Sequence, residues 1–255
     1  IKKWVEITGV KNICISGGYG LNVVANSYYV KHLPDCKFYF DPLADDSGTS
    51  IGAALFLYYL KTQDTRIYYP KYNFYHFYEN CFNQYGKAAS IKDVLKLILD
   101  QEIVALFEGA PEAGPRALGH RSLLLDPRNP KGKDIINTVK KREWYRPFAG
   151  VILCEHFDEY FDTLGLKESP YMTLNFKCKR PKEIPAIVHA DNTCRVQTIK
   201  TGFLYNLLKL FYKETGCPIL LNTSLNIAGQ PLVQTKTEAT KAFKNIYFVD
   251  DKKLF

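Results

Sequence analysis

Short apolar runs alternate with helix-periodic segments along this chain. The run NICIS at 12–16 predicts a strand, a glycine-rich loop follows it, and LNVVANSYYVKHL at 21–33 has the apolar spacing of a helix. Residues 36–40 predict a second strand, which leads through a polar loop to a helix beginning near Thr49. The repeated order of strand, loop and helix predicts an α/β fold.

Residues after 90 show a similar mixture. Ser90 is suited to cap a helix with apolar residues at helical spacing, and EIVALFEG at 102–109 predicts a buried strand. A further helix is predicted over 201–214, closed by Gly216, before the buried strand PILLN at 218–222. These patterns predict a second, mixed α/β domain.

The stretch from 66 to 86 is aromatic and has no clean period. We therefore place a domain junction in it and divide the chain into residues 1–75 and 76–255. A length of 255 residues, 46% of them apolar, suffices for two cores. The chain begins at Ile1 and its one methionine is Met172, so we expect the natural start to lie upstream.

Composition narrows the partners and the compartment. The net charge of +8 suits polyanionic partners, although a mild excess of lysine is more often a solvated face. Seven scattered cysteines, never spaced C-x-x-C, argue against a zinc site or a disulfide framework and fit a reducing cytoplasm. No apolar run approaches the roughly 18 residues of a membrane span, so we expect no membrane partner.

Three segments concentrate cationic and hydrogen-bonding side chains, and we interpret them as parts of one anion site. GAPEAGPRALGHRSLLLDPR at 109–128 sets arginines among glycines, and guanidinium forks suit phosphate or carboxylate oxygens. NTVKKREWYRPFAG at 137–150 interleaves cations with aromatic residues, and PILLNTSLNIAGQPLV at 218–233 places polar groups after a buried strand. The alternatives are ion pairs between these arginines and nearby carboxylates, an ordinary polar turn, and a nucleic-acid surface.

Two loops in the first part of the chain are also candidates for ligand binding. The glycines after the first strand let backbone N–H groups approach a phosphate, and a tight strand-to-helix turn is the alternative. In the second loop, the aspartates before Gly48 are suited either to ligate a divalent metal or to cap the next helix. The five histidines have no setting that is typical of a hydrolytic triad.

Seven motifs, in this order, resemble the O-carbamoyltransferases of the nodulation and antibiotic-tailoring type. Those proteins join an actin-like, TsaD-type domain to a YrdC-like domain. The motifs are SGGYGLN at 16–22, DDSGTSIGAA at 45–54, GPRALGHRS at 114–122, KKREWYRPFA at 140–149, SPYM at 169–172, HADNTCRVQT at 189–198 and LLNTSLN at 220–226.

The resemblance implies a fold and an activity for each part. Residues 1–75 would be the C-terminal portion of a TsaD-like nucleotide-binding domain whose N-terminal half this chain lacks, and 76–255 a YrdC-like domain with a twisted mixed sheet. The YrdC-like domain would form carbamoyladenylate from carbamoyl phosphate and ATP with Mg²⁺. The TsaD-like domain would pass the carbamoyl group to a hydroxyl of a small-molecule or sugar acceptor.

The resemblance also implies residue roles. Asp46 would ligate a divalent metal, with iron as one candidate, but two histidine ligands of that site belong to the lacking half. The adenylate-forming pocket would be lined by Lys140, Arg142, Arg146, Arg195, Ser224 and Asn226. The carbamoyl phosphate or adenylate would also contact Arg116, Arg121, Asn222 and Thr223, where either arginine could instead brace the pocket. The nucleotide of the TsaD-like domain would contact Gly17, Gly18, Gly20, Asn22 and Gly48.

Three other interpretations remain open at this point. A hydrogenase-maturation carbamoyltransferase would share both domains but carry C-x-x-C zinc modules, which this sequence lacks. A nucleic-acid binding or modifying protein, related to the tRNA threonylcarbamoylation machinery, would fit the basic charge. A non-catalytic nucleotide-binding remnant would fit the lacking half domain. The sequence leaves the acceptor unnamed and a homodimer open.

Overall fold

Helices and strands are described for most of the chain. The computed structural model describes residues 1–66, 87–88, 90–243, 246–250 and 253–254, so the predicted junction at 75/76 lies outside the described residues. The helices are α1 (Lys2–Thr8), α2 (Val23–His32), α3 (Thr49–Thr62), α4 (Ile91–Leu99), α5 (Gly132–Val139), α6 (Phe157–Tyr160), α7 (Gly202–Thr215) and α8 (Lys236–Ala242). The strands are β1 (Asn12–Ile15), β2 (Lys37–Phe40), β3 (Lys87–Ala88), β4 (Val104–Phe107), β5 (Arg121–Leu125), β6 (Ala149–Leu153), β7 (Asn175–Lys177), β8 (Thr193–Ile199), β9 (Ile219–Ser224), β10 (Tyr247–Asp250) and β11 (Lys253–Leu254).

The strands form two sheets. β1 and β2 are a parallel pair, and the other described strands form one sheet in the order β3-β11-β10-β4-β5-β9-β6-β8-β7. In the larger sheet, β10 is parallel to β4 and β6 is parallel to β8, while the other neighbours are antiparallel. The predicted α/β class and the mixed sheet are therefore confirmed.

Local capping signals set the helix ends that the sequence predicted. The Ser90 hydroxyl accepts from the Asp93 N–H at 3.3 Å, and the Asp93 carboxylate accepts from the Ser90 N–H at 2.7 Å, which makes a capping box. Gly216 ends α7 with φ 70°, a left-handed conformation that glycine adopts without strain. α1 and β5 had no comparable signal and were not predicted.

The main core lies around the larger sheet. β4, β5 and β6 are buried along their whole lengths, and α4 and α7 contribute buried apolar residues to the same core. In contrast, α1 and α3 bury no residue, and α3 exposes an aromatic and aliphatic stretch at 56–60. Burial is therefore concentrated in the second part of the chain. None of the helices in the described ranges has the length and apolar character that crossing a bilayer requires.

Polar contacts join the first part to the edge of the larger sheet. The buried Asn26 amide on α2 donates to the carbonyls of Gly20 at 2.8 Å and Thr173 at 2.9 Å. The Ser27 hydroxyl donates to the Asn175 carbonyl at 2.8 Å and accepts from the Asn175 N–H at 2.9 Å. α2 is thus attached beside β7, the edge strand of the larger sheet.

Gly48 offers a test of packing in the loop before α3. A Cβ atom at Gly48 would collide with the backbone carbonyl oxygen of Leu43, whereas one at Gly52, within α3, would meet no atom within 4 Å. We expect Gly48→Ala to lower the free energy of unfolding by about 1–3 kcal/mol because backbone must move. Gly52→Ala is the matched control and is expected to raise it by about 1 kcal/mol through helix propensity. Urea unfolding measures both, and equal effects of the two substitutions would contradict the packing role.

Candidate active site

A polar cleft opens where loops from distant parts of the chain meet the larger sheet. Its volume is about 230 Å³. Among the described residues, four arginines and no carboxylate line it. The lining residues are Pro115, Arg116, Ala117, Arg142, Arg146, Pro147, Met172, Arg195, Asn222, Thr223 and Ser224. We call this the arginine cleft.

Sheet register sets the floor of the arginine cleft. On β6, Ala149 pairs with Arg195 of β8 on one side and with Asn222 of β9 on the other. Residues directly opposite one another project from the same sheet face, so Arg195, Ala149 and Asn222 share one face. Arg195 and Asn222 lie on either side of Ala149, and their strands are roughly 10 Å apart. The methyl side chain between them leaves more room than a larger one would.

Arg195 is the most strongly desolvated cation of the cleft. Its Nε is buried and has no hydrogen-bond partner among the described residues. Burial, followed by the charges of Arg116 and Arg142, lowers the pKa of the Arg195 guanidinium to about 9. The group stays charged at neutral pH, so it carries a positive charge that protein atoms leave uncompensated.

A single asparagine arranges the segment that carries Arg142 and Arg146. The Asn137 Nδ2 donates to the Trp144 carbonyl at 3.0 Å and the Arg146 carbonyl at 3.2 Å, and its Oδ1 accepts from Arg142 Nε at 2.6 Å. Burial, followed by the charge of Arg146, lowers the pKa of Arg142 to about 10. Sequence reasoning did not single out Asn137, although its position at the start of the cationic run was visible.

Arg146 and its aromatic neighbours lie at the exposed side of this segment. Its guanidinium pairs with the Glu143 carboxylate at 2.8 Å, and both side chains are half-exposed. Trp144 and Tyr145 are exposed and meet edge to face, with ring centroids 5.9 Å apart. A surface ion pair of this kind is weak, so Arg146 can exchange Glu143 for a ligand.

Lys140 lies beneath the cleft and does not line it. Its Nζ donates to the Ser224 carbonyl, to Ser224 Oγ at 3.3 Å, to the Asn226 carbonyl at 2.8 Å and to Asn226 Oδ1 at 2.9 Å. Burial, followed by the charge of Arg142, lowers the pKa of the Lys140 ammonium to about 7. The structure therefore brings Lys140, Ser224 and Asn226 together, with the lysine holding the turn after β9.

The two arginines of the GPRALGHRS segment have different positions. Arg116 lines the cleft and donates to the Leu21 carbonyl at 3.4 Å; burial lowers the pKa of its guanidinium, and Asp45 opposes the shift. Arg121 is buried over the Phe107 ring and donates to backbone carbonyls, including that of Gly109 at 2.9 Å. Arg121 thus braces the segment rather than lining the cleft, which was the alternative left open for it.

Glu112 holds the same segment from inside. Its carboxylate accepts from the backbone N–H groups of Leu118 at 2.6 Å, His120 at 2.9 Å and Arg121 at 3.1 Å. Sequence reasoning considered Glu112 as an ion-pair partner for the arginines. It instead satisfies main-chain donors in the segment that positions Arg116.

The glycine-rich loop contacts the arginine cleft through the Leu21 carbonyl, which accepts from Arg116. Gly17 has φ 78°, and a Cβ at Gly20 would lie 3.0 Å from the Cβ of Ala44. Asn22 caps α2 by accepting from the Ala25 N–H at 3.1 Å. These contacts account for a tight turn; nucleotide binding by Gly17, Gly18, Gly20, Asn22 and Gly48 stays a prediction.

Asp46 does not lie in a metal-binding cluster. Its side chain is exposed, whereas the Asp45 carboxylate accepts from the Ser47 N–H at 3.3 Å. Across the described ranges, no three His, Cys, Asp or Glu side chains lie close enough to hold a metal ion. The residues present here do not fit a complete metal centre, and no chemical step can be assigned to one.

Comparison with known proteins identifies the family. A model of the carbamoyltransferase C-terminus matches residues 95–250, and a model of the carbamoyltransferase N-terminus matches 3–55. Nodulation protein NolNO of Sinorhizobium fredii is 33% identical over 93% of this chain and 38% of its own length. Nodulation protein U of Azorhizobium caulinodans is 34% identical over 86% of this chain and 40% of its own length. The chain belongs to the carbamoyltransferase family.

The match covers only part of each relative. The chain spans 46%, 48% and 38% of the lengths of three curated relatives, which is less than half of each. Among solved structures, full-length HypF in its phosphate- and nucleotide-bound form has a TM-score of 0.47 at 20% identity, covering 64% of this chain and 25% of HypF. A variant of P. abyssi Sua5 has a TM-score of 0.47 at 15% identity, covering 64% of this chain and 48% of that one.

The uncompensated charge of Arg195 predicts a stability effect. We expect Arg195→Met to raise the free energy of unfolding by about 1–3 kcal/mol, because it removes a buried charged donor without a partner. The folded pKa of about 9 is well below the ordinary value of a guanidinium, so the penalty is fully present below pH 9 and declines above it. Urea unfolding at pH 7.5 and pH 10 measures this. Arg180→Met, at a partly exposed side chain, is the control. The argument is contradicted if Arg195→Met lowers the free energy of unfolding while Arg180→Met leaves it unchanged.

The same variant should lose anion affinity. We expect Arg195→Met to weaken pyrophosphate binding about 10- to 100-fold, because charge-assisted hydrogen bonds contribute about 1.5–3 kcal/mol each. Isothermal titration calorimetry measures the affinity, with Arg180→Met again as the control. Unchanged affinity would remove Arg195 from the anion site.

Proposed function

We propose that this chain supplies the adenylate-forming part of an ATP-dependent O-carbamoyltransferase. The observation that carries the proposal is the convergence of four arginines on one cleft, whose lining contains no carboxylate from the part of the chain that the structure describes. Membership in the carbamoyltransferase family supports carbamoyl transfer as the chemistry. Carbamoyl phosphate and ATP, the substrates proposed here, are both polyanions.

The proposed reaction makes carbamoyladenylate. Water hydrolyses carbamoyl phosphate to carbamate and phosphate with release of a proton, and a carbamate oxygen then attacks the α-phosphorus of ATP while pyrophosphate leaves. Both leaving groups are stable anions, so the rate depends mainly on positioning and on stabilising developing negative charge. Arg142, Arg146 and Arg195 are positioned for that task, and Mg²⁺ would share it by binding the triphosphate.

Burial makes these cations effective for binding. The lowered pKa values of Arg142 and Arg195 reflect poor solvation and mutual repulsion of their charges. A bound phosphate supplies both the missing negative charge and oxygen atoms that accept hydrogen bonds from the guanidinium groups. Part of the binding free energy therefore comes from relief of repulsion that already exists in the unbound protein.

The later steps extend beyond this chain. We propose that a hydroxyl of a small molecule or sugar attacks the carbamoyl carbon of the adenylate, loses its proton and releases AMP, with the first part of the chain contributing to a nucleotide-binding domain. The described cysteines are free thiols, which supports the cytoplasm as the compartment. Since Asp46 has no ligand cluster here, a metal in the transfer step would need ligands from elsewhere.

The half-reaction offers a direct test. We expect pyrophosphate release from ATP and Mg²⁺ to depend on carbamoyl phosphate, with carbamoyladenylate detected by mass spectrometry in the same mixture. Arg146→Ala should slow release at least tenfold, because it removes a cation that lines the cleft. Arg180→Ala, at an exposed ion pair with Glu159, should not. Release independent of carbamoyl phosphate, or absent in both this chain and the full-length protein, would refute the proposal.

A further inference from the structure

The side-chain oxygen of Asn222 is a hydrogen-bond acceptor, and a ligand made only of ionised oxygens has no donor to offer it. Its side chain is fully buried at the floor of the arginine cleft, and its Oδ1 has no hydrogen-bond partner among the described residues. Buried polar atoms in folded proteins are nearly always paired, so a lone acceptor beside a cleft indicates a missing donor. Ionised phosphate oxygens supply no such donor.

A chain of hydrogen bonds fixes the orientation of the Asn222 amide. Gln197 Nε2 donates to the Leu118 carbonyl at 2.9 Å, so Gln197 turns its Oε1 toward Asn222. Asn222 Nδ2 then donates to Gln197 Oε1 at 2.9 Å and to the Ala117 carbonyl at 3.3 Å. Flipping Asn222 would bring its oxygen against these two acceptors. Asn222 Nδ2 therefore has both of its hydrogens in hydrogen bonds, and Oδ1 remains available to accept one from a ligand.

The other side of the floor carries the opposite polarity. Arg195, in register with Asn222 through Ala149, has an unpaired donor at Nε. The floor thus presents a donor on one strand and an acceptor two strands away. A carbamoyl group has the complementary pair, with oxygen atoms that accept and an amino group that donates.

We infer that Asn222 determines the specificity for the acyl group by accepting a hydrogen bond from the amino group of the carbamoyl moiety. This inference rests on the proposed function and names the part of the substrate that the site distinguishes. Acetyl phosphate has nearly the same shape and charge but places a methyl group where the amino group would lie. That methyl would leave Oδ1 buried and unpaired, so acetyl phosphate is rejected.

The test compares the two acyl phosphates on the same protein. Calorimetric titration of the wild-type chain with freshly dissolved carbamoyl phosphate and with acetyl phosphate gives an affinity ratio, expected at about 10- to 100-fold in favour of carbamoyl phosphate. Asn222→Leu, of similar shape, should bring that ratio close to one. Asn175→Leu is the matched control, since Asn175 pairs with Arg195 from β7 and does not line the cleft; its ratio should match wild type.

Each outcome decides the inference. A wild-type ratio near one overturns it, as does an unchanged ratio in a folded Asn222→Leu variant or an equal loss in Asn175→Leu. Should Asn222→Leu fail to fold, as judged by circular dichroism, the wild-type ratio decides alone. Pyrophosphate binding to the wild-type chain separates this result from the proposed function. If the wild-type chain binds pyrophosphate but does not distinguish carbamoyl phosphate from acetyl phosphate, only the role of Asn222 is overturned. If the wild-type chain binds none of these anions, both are overturned.

Discussion

Repulsion among guanidinium groups in the arginine cleft is the constraint on which the rest of this site depends. Arg116 and Arg142 both lower the pKa of Arg195, and Arg146 lowers that of Arg142, in each case in addition to burial. Charges interact more strongly where water is partly excluded, so this arrangement costs stability until an anion binds. A protein keeps such a cluster where it serves binding, because folding alone would favour paired or solvated charges.

Neutral acceptors orient the cations without cancelling their charge. Asn137 binds Arg142 through an amide oxygen, and Lys140 is surrounded by carbonyl, hydroxyl and amide oxygens of Ser224 and Asn226. A carboxylate in either place would hold the side chain equally well but would compete with the substrate anion. The Glu112 carboxylate lies in the segment that carries Arg116, but it accepts hydrogen bonds from backbone N–H groups and not from an arginine side chain. The charges of Arg142 and Arg195 therefore remain available to a ligand.

The cleft also depends on contacts between the two parts of the chain. Arg116 donates to the Leu21 carbonyl in the glycine-rich turn, and a Cβ at Gly114 would meet the Leu43 side chain at 2.8 Å. Asn26 and Ser27 attach α2 beside β7, next to the strand that carries Arg195. The first part therefore helps to position cleft residues, even though its helices α1 and α3 bury no residue.

The amino-acid sequence by itself determined the local elements and the residue types of the site. Short apolar runs and helical periodicity predicted β1, β2, α2, α4 and α7, and Ser90 and Gly216 marked helix ends, because these signals act within a few residues. The order of motifs indicated the carbamoyltransferase family before any geometry was known. Only the tertiary structure separated Arg116 from Arg121, or gave Lys140 a place beneath the cleft. Those roles depend on strand register and on contacts between residues far apart in the chain, which neighbouring sequence does not encode.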